Sequence, residues 1–391
     1  MNGNNILYAL LVISIISNNV ALLVAAAALE NNNHHRRRRC CKQFNIRQSA
    51  LTGLASSAFS HLWENGTERD IMIALYLPKN KVMKLHKIIK PWFKKYTWGA
   101  GKELKLIKRK RKPSKRSKIR SLVLVCLVLY YLRSRDNMNS IALQFGINAP
   151  TINTHIIYGL LLFESALHSH PETKIAWPDH EEMEFLSELS AKKYPRIGRH
   201  KIWSFMDGFK SNLLRPDDDY RQNCNYSGYV GKHCVNNVVL FDILGQIRFC
   251  KLAQPGKIPD SVAASRGGYY SKAKAAFNAG GYNCITDSAF RLGFGTLATT
   301  DRMLNFAAYP RDFVSIRQSA EWGMKIMQQW RRLSLPASTR KRRCYLNLVV
   351  AAHLCNFINQ NDLPNQIRTV MGSNFFDSLS NDYGFDMFEN V

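Results

Sequence analysis

The chain has 391 residues, 46% of them hydrophobic, which is enough for two or three domains with sizeable cores. Its 55 basic residues against 28 acidic ones give a net charge of +27, a surplus that favours a polyanionic partner, nucleic acid first and an anionic membrane surface second. Nine cysteines, an odd number with no CxxC repeat, argue against a disulfide framework and a zinc ribbon, and Cys224, His233 and Cys234 have no fourth ligand at a helpful spacing.

The first element is an apolar run over 6–29, long enough to span a bilayer. Asn18 and Asn19 at its centre, and the lack of a preceding basic residue, favour a helix packed on the protein over a membrane anchor. The polar patch ENNNHHRRRR follows it. Residues 45–100 read as helical, punctuated by Pro78 and Pro91. A basic run, 104–120, comes next and suits either a nuclear-import signal or an arm that contacts phosphates.

Residues 121–135 are too short, and too soon followed by charge, to cross a membrane, so they read as a buried helix. A helix-turn-helix pattern then appears: a short helix to Phe145, a turn at Gly146-Ile147-Asn148, and a second helix opening near Ala149-Pro150-Thr151. Proline suits that opening because its missing N–H is not needed in the first helical turn. Thr151, Asn153 and Thr154 fall where a recognition helix meets bases or phosphates. Residues 169–200 are a connector with one helix, started by Asp179 and Glu182.

From Lys201 the period changes. KIWSFMD reads as a strand ending at Asp207. Two further strands, YSGYVGKHCVNNVVLFD and GQIRFCKLA, are joined by a turn from Asp242 to Gly245, which makes Asp242 a turn residue. A helix broken at Gly267-Gly268 precedes the strand YNCIT, which ends in Asp287. A long helix over 311–333 has Phe313, Ile316, Ala320, Met324 and Met327 on one face, with Glu321 bordering it. This order predicts an α/β layer with a mixed sheet behind an all-helical N-terminal region.

Asp207, Asp287 and Glu321 each have apolar flanks. Taken singly, an acid at a strand end is a turn or cap residue. On two adjacent strand ends and a packed helix, the three could hold two Mg²⁺ or Mn²⁺ ions for in-line attack on a phosphodiester. Lys232, Lys325, Arg331 and Arg332 are candidates to neutralise phosphates beside them.

The motifs FMDGF, YSGYVGKHCVNNVVLFDILGQI, QPGKIPDS, NCITDSAF, SAEWGMKIMQQWRRL and NQIRTV occur in this order. In them the stretch from about Ser121 to Val370 resembles transposases of the PIF/Harbinger type and their domesticated relatives. The resemblance implies an RNase H-like nuclease core with Asp207, Asp287 and Glu321 as catalytic metal ligands, an upstream helix-turn-helix and a nuclear location. It also implies DNA as substrate, a separate DNA-binding accessory protein and a homo-oligomer in the active state. The family has a His-Asp pair where this chain reads Pro259-Asp260. Asp260 is therefore a candidate fourth metal ligand, although its place before SVAAS favours a helix N-cap. The loss of the histidine keeps a catalytically silent DNA-binding relative as the alternative. The expected divisions are 1–44, 45–120, 121–168, 169–200, a nuclease core over 201–336, and a helical C-terminal segment over 337–391.

Overall fold

The structure, a computed structural model, describes residues 46–98, 105–110, 119–298, 310–336, 341–361 and 367. The apolar run at 6–29 and most of the basic arm, 111–118, lie outside the described residues, as does NQIRTV apart from Ile367. Among the described residues no helix is long and apolar enough to cross a membrane. The chain divides into two compact units, one of residues up to 60 with 137–152, the other of 61–136 with 153 onward.

The first unit includes the start of helix α1 (Ala58–Asn65); the second takes in the helices α2 (Glu68–Leu75) and α3 (Lys79–Lys95), a small antiparallel pair of strands, β1 (Tyr96–Trp98) and β2 (Leu106–Lys108), and helix α4 (Ser121–Arg133). The strand pair falls at the edge of a stretch that reads as helical. Helix α4 is buried from Leu124 to Leu129 and again at Tyr131 and Leu132, which is why its sequence shows no amphipathic stripe.

Helix α5 (Met138–Phe145), in the first unit, ends at Phe145, and helix α6 (Ala149–Ser169) opens at Ala149, the two boundaries read from the sequence. Asn137 accepts from the backbone N–H groups of Asn139 and Ser140, starting α5. Gly146 ends it at φ 64, a left-handed position where a side chain would also strike the Thr52 carbonyl. Asn148 then accepts from the Thr151 N–H to cap α6. Gln48 ties the turn down by donating to the Gly146 carbonyl and accepting from the Asn148 N–H. The rings of Phe59 and Phe145 stack 4.4 Å apart in the same unit.

The second unit is built on a six-stranded mixed sheet. Its strands are β3 (Ile202–Asn212), β4 (Tyr226–Ser227), β5 (Lys232–Asp242), β6 (Ile247–Pro255), β7 (Asn283–Thr286) and β8 (Thr296–Ala298). Strand β3 lies between β5, antiparallel, and β7, parallel; β6 flanks β5, and β8 flanks β7 in parallel. One face is covered by α7 (His180–Lys193), α9 (Asp260–Arg266) and α10 (Tyr269–Gly280), all sharing a core with Trp203, Met206, Val238 and Leu240. Asp179 caps α7 by accepting from the Glu182 N–H, and α8 (Asp219–Asn225) fills the link between β3 and β4.

The other face is covered by α11 (Pro310–Gln328), whose Ile316, Ala320, Met324 and Met327 are buried. Gly323 lies so close to Phe241 that a Cβ there would sit 2.7 Å from its ring. Helix α11 stops at Gln328, and residues Arg331–Ser334 form a separate turn. Helix α12 (Lys341–Gln360) is almost wholly buried although it carries asparagines. Its Asn356 donates to the Lys174 and Ile247 carbonyls and accepts from the Ile247 N–H, and its Asn359 donates to the Leu244 carbonyl. The bonds to Ile247 and Leu244 satisfy backbone groups at the β5–β6 turn.

Candidate active site

Asp207 does not end its strand. β3 runs on to Asn212 because it keeps its antiparallel ladder with β5, from Gly208 opposite Val238 to Asn212 opposite Cys234. Its other neighbour, β7, stops at Thr286. Asp207 thus stands where β3 loses one partner, and the next residue along β7 is Asp287. Phe205 pairs with Ile285 in the parallel register, so two steps further along each strand Asp207 and Asp287 come to the same level. Neighbouring strands lie about 4.8 Å apart, which brings together two acids 80 positions apart in sequence.

A third carboxylate comes from the opposite face. Side chains alternate along a strand, so Phe205 and Asp207 share the α11 face while Met206 and Gly208 share the α9 face. Asp260 sits directly on Gly208: a Cβ there would be 2.5 Å from its Cγ. The glycine in FMDGF is the space that Asp260 occupies. Asp260 is also not a helix cap. Pro259 holds the cap position without a side-chain bond, and Asp260 is the first residue of α9. Its carboxylate accepts from Asn236 Nδ2 at 2.6 Å instead. Asn236 is completely buried and also donates to the Ile258 carbonyl, which fixes the direction of that amide.

Burial, with the nearby Asp287 and Asp260 charges adding to it, pushes the Asp207 carboxyl up to about 6, against the opposing Gly208 N–H, which donates to Oδ1 at 2.7 Å, and Arg317. Burial also raises Asp260, with Asp287 adding to it, against the Asn236 bond and the Lys210 charge. Asp287 accepts from the Ala289 N–H at 2.9 Å, which anchors the turn after β7. The result is a half-buried group of three acids facing too little positive charge.

Glu321 lies further out. Its side chain is 50% exposed and pairs with Arg317, four residues earlier on α11, at 3.2 Å. Arg317 in turn acts on Asp207, so Glu321 is linked to the acid group through that guanidinium. Among the described residues no three His, Cys, Asp or Glu side chains are arranged to hold a metal ion as they stand. The donor chemistry nevertheless fits a hard cation. Asp207, Asp260 and Asp287 are clustered oxygen donors, and burial, with the neighbouring acids adding to it, raises the Asp207 carboxyl.

The basic and polar candidates are scattered. Lys232 is exposed at the start of β5, seven residues from the partner of Asp207. Lys325 is exposed on α11 one turn past Glu321, and Arg331 is exposed in the turn after it. Arg332 is engaged within its own unit, donating to the Asp136 carbonyl at 2.7 Å with its guanidinium 4.5 Å from the Tyr131 ring centroid. Asn153 accepts from Arg343 at 2.8 Å, Thr151 is half-buried, and Thr154 is exposed. Sequence reasoning missed Lys210, Asn236 and Arg317. Arg317 carried a usable signal in its four-residue spacing from Glu321. Asn236 carried none, because its partner is 24 residues away.

Residues 206–356 match the family model described as DDE superfamily endonuclease. The matched span begins one residue before Asp207, contains Asp260, Asp287 and Glu321, and covers less than half of the chain. The mixed sheet and its helices are consistent with the RNase H-like core of such enzymes. No curated protein and no solved structure matches the chain.

Two outcomes follow from this geometry. An Asp raised to about 6 keeps its proton in the folded, metal-free protein where the unfolded chain, with a value near 4, has lost it. The stability contributed by Asp207 is therefore full below about pH 4 and is lost as the pH rises through about 6. Unfolding followed against pH in a chelator should show this slope, and Asp207→Asn should remove it. Separately, Gly208→Ala should destabilise by about 1–3 kcal/mol through overlap with the Asp260 carboxylate. Adding Asp260→Ala should recover most of that loss in a double-mutant cycle read by urea unfolding; simple additivity would contradict the contact.

Proposed function

We propose that the protein is a divalent-metal-dependent DNA endonuclease of the transposase kind, of the PIF/Harbinger type. The observation that carries this reading is the parallel pairing of β3 with β7, which sets Asp207 level with Asp287, inside a span that matches the DDE superfamily. Asp207, Asp287 and Glu321 would hold Mg²⁺ or Mn²⁺, with Asp260 as a further ligand. Bound ions supply charge that stabilises the attacking and leaving oxygens at a phosphodiester.

The chain's own residues prepare that centre. Asn236 keeps the Asp260 carboxylate turned onto Gly208, and the Gly208 N–H fixes one oxygen of Asp207. Arg317 partly neutralises the acid group, and Glu321 joins the other acids only when it leaves Arg317. The net charge of +27 supports DNA as the partner, with Lys232, Lys325 and Arg331 as exposed phosphate contacts. Helices α5 and α6 serve in this reading as a DNA-binding helix-turn-helix, with Thr151 and Thr154 near the second helix's start. A nuclear location, an accessory DNA-binding protein and an oligomer in the active state belong to the same reading.

The test is nicking of supercoiled DNA by the purified protein with Mg²⁺ or Mn²⁺, lost on chelation and in Asp287→Asn. A second reading, a catalytically silent DNA-binding relative, draws on Glu321 being paired with Arg317 and on Pro259 in place of the family's histidine. Salt-dependent DNA binding with no cleavage under any divalent ion would select it.

A further inference from the structure

The tip of the hairpin joining β4 and β5 holds Tyr229, whose side chain is 95% exposed. An exposed tyrosine alone says little, but this one sits in a specific setting. The Lys210 ammonium lies 5.8 Å from its ring centroid, and the same ammonium donates to Ser227 Oγ at 2.7 Å, which pins it beneath the hairpin. Gly228 and Gly231 stand close on either side, and a Cβ on either would meet nothing within 4 Å. Gly231, at φ 68, needs to be glycine for the turn, closed by its N–H on the Ser227 carbonyl. The ring therefore projects from a narrow, glycine-flanked tip with open space beside it and a cation under it.

Lys210 also connects this tip to the acid group. It lies three residues past Asp207 on β3, about 10 Å at ~3.3 Å per residue, and its charge acts on Asp260. The stretch from Tyr226 to His233 contains Lys232 and no acid, and Tyr226 is itself half exposed with its ring edge-on to His233 at 5.5 Å. Aromatic rings set beside cations on an acid-free hairpin suit a nucleobase stacked on a ring while its phosphates meet lysines. An apolar protein partner would bury a broader surface than the Tyr226, Tyr229 and Val230 side chains that this hairpin exposes.

We propose that Tyr229 is a stacking residue for an unpaired base of DNA next to the phosphate held at Asp207 and Asp287, with Lys210 and Lys232 contacting the adjoining backbone. This rests on the nuclease reading above and adds a substrate feature to it: strands unpaired beside the cut are bound more tightly than continuous duplex.

The experiment measures binding, in chelator, of the full chain to two labelled probes, one a plain duplex and one the same duplex with a short single-stranded overhang. Wild type should prefer the overhang. Tyr229→Ala should weaken overhang binding by about 5- to 150-fold, leave duplex binding within about twofold, and Tyr229→Phe should bind as wild type does. Overhang binding unchanged in Tyr229→Ala, with wild type still binding duplex, overturns the stacking role and leaves the nuclease reading standing. Equal losses on both probes also overturn it, since a general phosphate contact would do that. Failure of wild type to bind either probe overturns both readings.

Discussion

Asp287→Asn should lower metal-dependent nicking of supercoiled DNA by about 10³-fold or more, equivalent to ~4 kcal/mol of barrier. The substitution keeps the shape of the side chain and can keep its turn contact, because an amide oxygen still accepts from the Ala289 N–H. What it removes is one negative charge beside Asp207. A second readout separates this from simple misfolding. Asp287 is one of the two carboxylates that raise Asp207, so the Asp207 titration should move down in the variant, which side-chain NMR can follow. A drop in nicking with no movement of that titration would mean that Asp287 acts elsewhere. Nicking at wild-type rate in the variant would remove Asp287 from the mechanism altogether.

Asp242→Ala should cost about 3–5 kcal/mol of folding stability, the largest loss expected for any single polar side chain of the sheet. Asp242 is completely buried at the end of β5. It accepts from the Leu244 and Gln246 N–H groups at 2.9 Å and from Arg248 Nε at 2.6 Å. Removing it strands two backbone donors and leaves Arg248, itself mostly buried, with Glu182 as its remaining acid partner. Urea unfolding measures the loss. Glu182→Ala serves as the comparison: Glu182 is the more exposed partner of Arg248, so its removal should cost well under half as much. Similar losses for the two would show that the buried turn is not what Asp242 secures. An acid that reads as an ordinary turn residue is thus both that and the centre of an ion-paired anchor, and it stands apart from the proposed chemistry.

Much of the sheet was legible because its signals are local. Alternation over KIWSFMD marks the start of β3, Gly245 marks the turn between β5 and β6, and Gly267-Gly268 marks the break between α9 and α10. Errors fell where a neighbouring element overrides a local cue. β3 continues past its acid because β5 still pairs with it. Asp260 follows a loop and begins a helix, which resembles a cap, yet the space above Gly208 draws its carboxylate toward the acid group. Helix α12, expected only as a helical C-terminal segment, proves to be a core element whose asparagines bond backbone groups of another hairpin.

By itself the sequence determined the excess of positive charge and the order of the main strands and helices of the core, since composition and periodicity are properties of neighbours along the chain. Only the tertiary structure decided that Asp207 and Asp287 share one level of a parallel strand pair, that Asp260 joins them through a glycine, and that Arg317 stands between Asp207 and Glu321. Strand partners and register are set by contacts between residues far apart in sequence. The charge interactions that distinguish an acid cluster from isolated acids depend on distance in space.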